Sequence, residues 1–341
     1  MGVLIIEDDH ILDGIPSNVL SVPVLTITLQ HFDVWDLRNT AGMSEDEVLS
    51  IQIPEESEIS DFYLVNGDLQ PDISVNMSEW TRFRMVHSSP TRTGILSFGD
   101  CDCEILLLAK DGVYLPRVPR VVSQLYFTES SRVDLALRCS RVQSCPLTMN
   151  EVRIATLHVV EKPGQQMVRT FSFPCWTPCF PEYLRDLRDL SLSPGEKVSQ
   201  SLTIEMGMST INGEQFSGFS NVLGSLFHHK IQQWDLVNTA EHPLHIHVHH
   251  FQIISEIELE ELEGWTQAGD WIDTIANSLI VTVRFRPLDF EGFMLIHCHI
   301  PAHSDQGSAA LFRILPAQNQ TIPTETRKQI CGVDDCGASG R

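Results

Sequence analysis

The 341-residue chain is long enough for two domains with separate cores, because soluble domains usually hold about 100 to 200 residues. Its hydrophobic fraction of 42% and charged fraction of 20% are those of a globular protein. The net charge of -22 repels phosphate backbones and anionic membrane surfaces, so we expect no nucleic-acid partner. No apolar stretch reaches the roughly 18 residues needed to span a bilayer, and we expect no membrane partner.

Apolar residues recur mostly with a period of two along short segments separated by Gly, Pro, Asn and Asp, which is typical of strands. In chain order, the predicted strands are Met1–Ile6, Val22–Thr28, Arg82–Val86, Ile105–Leu108, Val133–Leu137, Ile154–Val159 and Leu279–Phe285. The predicted helices are Ser44–Val48 and Glu182–Leu190. This pattern predicts an all-β fold of sandwiches or barrels and argues against a doubly wound sheet.

Two similar units flank a proline-rich stretch near residues 170 to 198. A strand enters an Asn-Gly turn in each unit, at Asn66-Gly67 and at Asn212-Gly213, and such turns are typical of hairpins. We predict domains over 13–170 and 199–317, joined by a linker over 171–198. Residues 1–12 are predicted to be the last strand of a further domain missing from this chain, and residues 318–341 to be a polar tail.

Eight of the nine cysteines fall into pairs that are close in sequence, which leaves Cys298 over. This cysteine lies between two histidines, so we predict that it binds metal while the other eight are available for disulfides. Close pairs such as Cys101 and Cys103 make strained disulfides, so the connectivity stays open. Together with the glycosylation sequons at Asn76 and Asn319, the cysteines favour a secretory or extracellular protein.

Two clusters hold eight of the fourteen histidines. The first reads His242-Pro243-Leu244-His245-Ile246-His247-Val248-His249-His250, and the second reads His297-Cys298-His299-Ile300-Pro301-Ala302-His303. Alternate residues of a strand share a face, so we expect His245 to project with His247, and His297 with His299. Two such strands side by side would offer four imidazoles to metal.

Cys298 has the opposite parity and is expected on the other side of its strand. There, His242 ahead of the first strand and His303 on the following loop are predicted to meet it. Two imidazoles and one thiolate are the ligand set of a blue-copper centre. The sequence therefore predicts one copper on the Cys298 side of the strand and a second metal site on the opposite side, separated only by the backbone of residues 297–299.

A structural zinc site and a nucleophilic cysteine fit the clusters less well. Zinc sites of this kind usually take their cysteines from Cys-x-x-Cys pairs, which this sequence lacks. A nucleophilic pair of Cys298 with one histidine leaves the other spaced histidines unexplained. The histidines predicted to be ordinary residues are His10, His31, His87, His158, His228, His229, His249 and His250.

The two clusters resemble the copper motifs of the multicopper oxidases, which are His-Pro-x-His-x-His and His-Cys-His-x-x-x-His. The resemblance implies that a type 1 copper, which accepts electrons from a reductant, is held by His242, Cys298 and His303. It implies that the type 2 copper takes His245, and that the type 3 pair takes His247, His297 and His299.

The resemblance continues in segments such as Lys110-Asp111-Gly112, Arg132-Val133-Asp134 and Trp271-Ile272-Asp273-Thr274. It implies two cupredoxin-like Greek-key β-sandwich domains, the first copper-free and the second copper-binding. The chain departs from the family in two respects. It lacks the two further His-x-His pairs of the family's first domain, and it has Ser308 at the axial copper position, where the family usually has Met, Leu or Phe.

The resemblance implies a laccase-like oxidoreductase that oxidises a phenolic, amine or metal-ion reductant and uses O2 as the acceptor. Because first-domain ligands are missing, two alternatives stay open: a non-enzymatic copper or electron-transfer module, and a protein that keeps only the fold. The acidic run over 256–263 also has two open interpretations, attraction of metal cations towards the type 1 site or a solvated edge.

Overall fold

The computed structural model describes residues 3–8, 14–33, 61–90, 93–162, 171–192, 196–255, 264–276, 280–288, 290–316 and 332–334. Within these residues the chain is almost entirely β and divides into two compact units. The first unit comprises Met1–Ile5, Val22–Leu107 and Val121–Ser172. The second comprises Ile6–Ser21, Leu108–Arg120 and Phe173–Arg341. The domain boundaries at 13–170 and 199–317 stay a prediction.

The strands up to residue 160 are β1 (Val24–Asp33), β2 (Asp61–Val65), β3 (Asp68–Leu69), β4 (Asp72–Asn76), β5 (Thr81–His87), β6 (Gly94–Ser97), β7 (Cys103–Lys110), β8 (Val113–Tyr114), β9 (Arg120–Val121), β10 (Leu125–Phe127), β11 (Arg132–Cys139), β12 (Gln143–Met149) and β13 (Val152–Val160). Those that follow are β14 (Cys175–Thr177), β15 (Val198–Glu205), β16 (Val222–Phe227), β17 (Ile231–Val237), β18 (Leu244–Ile246), β19 (Phe251–Ile253), β20 (Trp271–Ile272), β21 (Thr274–Ile275), β22 (Val281–Phe285), β23 (Gly292–Cys298), β24 (Ala309–Leu315) and β25 (Gly332–Asp334). The helices are α1 (Ser17–Leu20), α2 (Pro301–Asp305) and two 3-10 helices at Glu182–Leu184 and Leu190–Leu192.

The first unit is a β-sandwich. One sheet runs β3-β2-β1-β5-β11-β7, and the other runs β10-β6-β12-β13-β4. Alternate side chains of β5, such as Phe83 and Met85, are buried, as the period of two requires. Two disulfides, Cys101–Cys145 and Cys103–Cys139, lie in this unit. The close sequence neighbours therefore bond to different partners instead of to each other.

The second unit is also a β-sandwich, with sheets that run β15-β17-β22-β19-β20 and β16-β24-β23-β18-β21. Its core is aromatic at the centre, where the Trp234 ring lies 4.8 Å from that of Phe285 and 4.9 Å from that of Phe312. Burial of each such side chain contributes about 1.5–3 kcal/mol to the stability of this unit. Cys298 belongs to this core and is fully buried.

The two Asn-Gly turns have the same local structure. Asn66 (φ 54°) accepts a hydrogen bond from the Thr28 backbone N–H on Oδ1 at 2.7 Å and donates one from Nδ2 to the Thr26 carbonyl. Asn212 (φ 53°) makes the same pair of bonds with Glu205, at 2.7 Å, and Thr203. Asparagine tolerates the left-handed conformation that these turns need, and its side chain ties the turn to a neighbouring strand.

The predicted strands that correspond to β1, β5, β7, β11, β13 and β22 are confirmed. The predicted helix Glu182–Leu190 is wrong, because only a 3-10 turn forms at Glu182–Leu184 and Arg185 is extended, with ψ 136°. The physical reason is tertiary: Leu184 and Leu187 both pack into a buried cluster with Trp271, and the extended residue between them breaks any continuous helix.

Residues 3–8 form no strand, and Leu4 and Ile6 are 88% and 77% exposed. Their assignment to a further domain stays a prediction. No helix among the described residues is long and apolar enough to cross a bilayer. Some features of the sequence lie outside the described residues, namely His10, Ser44–Val48, the acidic run over 256–263, Asn319, Cys331 and Cys336.

Candidate metal centre

Three of the seven predicted ligands lie on the paired strands β18 and β23, and the other four lie close to the ends of these strands in sequence. These strands are antiparallel, with Leu244 opposite Cys298 and His245 opposite His297. Leu244 and Cys298 are buried in the core, whereas His245 and His297 are partly exposed on the other face of the sheet. The alternation agrees with the parity expected from the sequence. It puts a thiol and imidazoles on opposite faces of one strand.

His242, Cys298 and His303 form an inner cluster. Their ligand atoms all lie within 4.8 Å of one another. The two imidazole Nδ1 atoms are 3.1 Å apart, and the Cys298 Sγ atom lies 3.5 Å from Nδ1 of His303. Cys298 carries a thiol and is not part of a disulfide bond. This set of two imidazole nitrogens and one buried soft sulfur suits copper, which takes thiolate and imidazole together.

The backbone explains how the inner cluster forms. His242 lies in the loop before β18, and the following Pro243 accepts a hydrogen bond from the His299 N–H at 2.7 Å. Pro301 is the first residue of α2, where its missing N–H costs nothing, and this short helix returns His303 towards the strand. The proline-started turn therefore brings a residue five positions after Cys298 back to its side chain.

His245, His247, His297 and His299 form an outer cluster. The ligand atoms of the first three lie within 4.8 Å of one another, and Nε2 of His247 is 3.0 Å from Nε2 of His297. The His299 ring centroid lies 5.2 Å from that of His245 and 5.4 Å from that of His297. The structure thus brings together all four imidazoles that the alternation predicts on this face of the sheet.

Hydrogen bonds show which ring nitrogen of His297 and of His245 has a lone pair available to bind metal. Nδ1 of His297 lies 2.7 Å from the Cys298 carbonyl oxygen, and Nδ1 of His245 lies 2.9 Å from the Asp273 carbonyl oxygen. A carbonyl oxygen only accepts, so Nδ1 donates in both contacts and Nε2 keeps its lone pair for a metal.

Burial favours the neutral imidazole in four of the cluster histidines. It lowers the pKa of His297 to about 4, and neighbouring imidazoles contribute to that shift. Burial is also the main cause that lowers the pKa of His242, His247 and His303. A histidine binds metal only as the neutral imidazole, so these side chains are ready as ligands at neutral pH.

Ser308 lies beside the inner cluster and is fully buried. Its carbonyl accepts from the Cys298 N–H, and its own N–H donates to the His303 carbonyl, both at 2.9 Å. The hydroxyl group donates to the Gly207 carbonyl at 2.7 Å. The backbone of Ser308 therefore joins two of the three inner-cluster residues, while its hydroxyl is directed to a different partner.

The histidines predicted to be ordinary, apart from His10, do not join either cluster in the described part of the chain. His249 is buried and stacks on Phe290 at 5.2 Å and an interplanar angle of 4°. His250 donates from Nε2 to the Asp111 carbonyl at 2.9 Å. Three residues hydrogen-bond to His245 directly or through a neighbour, namely Asp111, Asp273 and Thr274. Sequence patterns predict no such role for them, because hydrogen bonds between distant segments leave no local signal.

Comparisons with known proteins point to one family. Residues 193–318 match the family model described as multicopper oxidase. The chain is 23% identical over 294 residues to bilirubin oxidase from Albifimbria verrucaria, covering 78% of this chain and 50% of that protein. It thus spans half the length of this curated relative.

Solved structures share the fold. A laccase from Pediococcus acidilactici aligns with a TM-score of 0.62 at 20% identity, over 86% of this chain and 60% of its own. A multicopper oxidase from Pseudomonas thermotolerans aligns with a TM-score of 0.64 at 19% identity, over 86% of this chain and 68% of its own. The expected cupredoxin-like all-β fold is confirmed. The family-model match covers the segment that carries both histidine clusters, and over that segment the chain is similar to the multicopper oxidases.

Proposed function

We propose that this chain is the copper-binding part of a laccase-like oxidoreductase. The inner cluster of His242, Cys298 and His303 would hold a type 1 copper. The outer cluster would supply His245 to a type 2 copper and His247, His297 and His299 to a type 3 pair. The observation that carries this proposal is the pairing of β18 with β23. This pairing separates two groups of side chains: the inner cluster lies on the Cys298 side of the two strands, and the outer cluster lies on the His245 and His297 side.

Copper bound there would supply one-electron chemistry, accepting electrons from a reductant and delivering them to O2 in the complete protein. The chain's own residues provide the route between the clusters. Cys298 and His297 are adjacent in sequence, and the His297 ring also donates to the Cys298 carbonyl at 2.7 Å. One peptide and one hydrogen bond thus join the buried thiol to the outer imidazoles. Because Cys298 is fully buried, the core around it excludes water.

The reductant class follows the family: a phenol, an amine or a low-valent metal ion. His242 is 8% exposed and His303 is partly exposed, so the inner cluster approaches the surface through its imidazoles and not through its thiol. By the resemblance to the family, we place electron entry at His242. The two disulfides of the first unit support a secretory or extracellular location, where thiols are oxidised.

Further histidine donors would come from a first domain, fused or on a partner chain. The outer cluster itself offers four imidazoles, about half of what the family uses. Phe293, on the same face of β23 as His297, is 48% exposed and contacts Phe219, which is 77% exposed. Exposed aromatic surface on this face of the strand is typical of an interface and supports a covering domain.

Loading the purified chain with Cu(II) and recording its visible spectrum tests this function. We expect intense blue absorption from thiolate-to-copper charge transfer. Cys298→Ser should abolish the band, and the matched variant His158→Gln, a histidine of the first unit outside both clusters, should retain it. A folded, copper-loaded chain without the band would contradict the inner-cluster assignment.

A second candidate is an electron-transfer module without O2 reduction. The observation that favours it is that the inner cluster has a complete Cys-His-His set, whereas the outer cluster has only part of the family's imidazoles. Oxygen consumption separates the two functions. A blue chain that exchanges electrons with a reductant but consumes no O2, even when a family first domain is added, would favour the module.

A further inference from the structure

His245 can serve the outer cluster only if its hydrogen stays on Nδ1. Nδ1 lies 2.9 Å from the Asp273 carbonyl oxygen and 3.0 Å from the Thr274 hydroxyl oxygen. The two acceptors belong to consecutive residues, Asp273 and Thr274. The position of the peptide that joins these residues therefore decides which nitrogen of His245 faces the cluster.

The ladder around this peptide is short. β21 pairs with β18 only through Leu244 with Ile275 and His245 with Thr274. Two paired residues hold a strand weakly, because most of the order of a strand comes from longer ladders and from packing on both faces. The Ile246 N–H also donates to the Asp273 carbonyl at 3.1 Å, so a further restraint on this segment has to act through the N–H groups of Asp273 and Thr274.

Asp111 supplies this restraint. Its Oδ2 atom accepts from the backbone N–H of Asp273 at 3.2 Å and of Thr274 at 3.4 Å. The side chain is buried at 3% exposure, and a carboxylate that accepts from backbone amides in a dry site binds more strongly than a neutral acceptor. The Asp111 carbonyl also accepts from His250 at 2.9 Å, which holds the residues that follow the first histidine cluster.

The turn between β7 and β8 presents this carboxylate. Asp111 has φ 48° and Gly112 has φ 82°, both in the left-handed region, and aspartate is among the few residues other than glycine that adopt it readily. The left-handed turn thus suits a residue that carries a short acceptor side chain.

We propose that Asp111 is a positioning residue for the metal ligand His245: it anchors the Asp273–Thr274 peptide and thereby fixes the Nδ1–H tautomer. This inference rests on the proposed function of the outer cluster. Asp111 acts from a segment more than 130 residues away in sequence from its target, and it touches neither a reductant nor O2.

The test uses the metal-free, 15N-labelled full chain, in which long-range proton–nitrogen spectra report the tautomer of His245. We expect a single Nδ1–H tautomer in the wild type. Asp111→Gly removes the carboxylate while glycine keeps the left-handed turn, and we expect a mixture of the two tautomers. Asp111→Asn returns an oxygen acceptor to the same position, and we expect it to restore the single tautomer.

The matched control is Asn66→Gly in the first unit, which also removes a side-chain acceptor of a backbone N–H from a left-handed turn residue. It should leave His245 unchanged. A single Nδ1–H tautomer in a folded Asp111→Gly chain would overturn the role of Asp111. If Asp111→Gly does not fold, Asp111→Ser decides, because its shorter hydroxyl cannot reach both amides and the same mixture is expected. Blue absorption from Cys298 is recorded separately, so its absence would count against the proposed function and not against Asp111.

Discussion

Substitution of Ser308 tests the inner cluster, because the Ser308 hydroxyl could either bind copper or serve only as a hydrogen-bond donor. The hydroxyl donates to the Gly207 carbonyl at 2.7 Å, and this bond fixes the position of its oxygen. We expect an oxygen held in this way to stay outside the copper ligand set, since it is a harder donor than sulfur or imidazole nitrogen. In Ser308→Ala this hydrogen bond is lost. Ser308 is fully buried, but Gly207 is only partly buried, so we expect water to replace the hydroxyl as the partner of the Gly207 carbonyl.

The size of the effect follows from that difference in burial. An acceptor left dry costs about 1–3 kcal/mol, whereas an exchanged hydrogen bond has a net value of about 0.5–1.5 kcal/mol. The range of about 0.5–1.5 kcal/mol applies to Ser308→Ala, because water is expected to replace the lost hydrogen bond. Ser308→Ala should therefore raise the unfolding equilibrium constant of the second unit roughly two- to twelvefold in urea titrations of the metal-free chain.

The copper site itself should not change. We expect the blue band and the redox potential of Ser308→Ala to equal those of the wild type, since the inferred copper ligands are His242, Cys298 and His303 and do not include the Ser308 hydroxyl. Ser308→Met puts a thioether sulfur at this position, and we expect the potential to fall because a soft donor is added to a site with three ligands. A changed spectrum in Ser308→Ala, or a higher potential in Ser308→Met, would refute the three-ligand site.

Three further outcomes are expected. Asp270→Ala should destabilise the second unit by about 3–5 kcal/mol in urea titrations, because the largely buried Arg120 guanidinium loses its carboxylate partner at 2.7 Å and keeps only the Gly264 and Trp265 carbonyls. The exposed-pair control Glu104→Ala should cost less than about 1 kcal/mol. Burial lowers the pKa of His87 from 6.5 to about 4, so the unfolded chain takes up a proton at a higher pH than the folded chain does. The free energy of unfolding should therefore fall by about 3 kcal/mol as the pH is lowered from about 6.5 to 4. His87→Gln should remove that part of the pH dependence. Metal analysis should find about one tight copper per chain, lost in Cys298→Ser, with negligible O2 consumption until a first domain is added; four coppers with laccase turnover from this chain alone would contradict the expectation of an incomplete outer site.

Sheet character, most strands and the parity of the metal-ligand residues follow from the sequence alone. These features are local: a period of two fixes which side chains share a face, so His245 and His297 fall on one side of their strands and Cys298 on the other. The prediction that Cys298 stays out of disulfides is confirmed, and it came from the odd number of cysteines and from the two histidines that flank Cys298 in sequence.

The remaining features required the tertiary structure, because they depend on segments that are distant in sequence. The disulfides join Cys101 to Cys145 and Cys103 to Cys139, and sequence spacing does not encode which sheet neighbour each cysteine meets. The predicted helix at Glu182–Leu190 gave way to packing of Leu187 beside Trp271. The restraint that Asp111 exerts on the residues behind His245 also crosses more than 130 residues, and a side chain bonded to backbone amides so far away leaves no periodicity in the sequence.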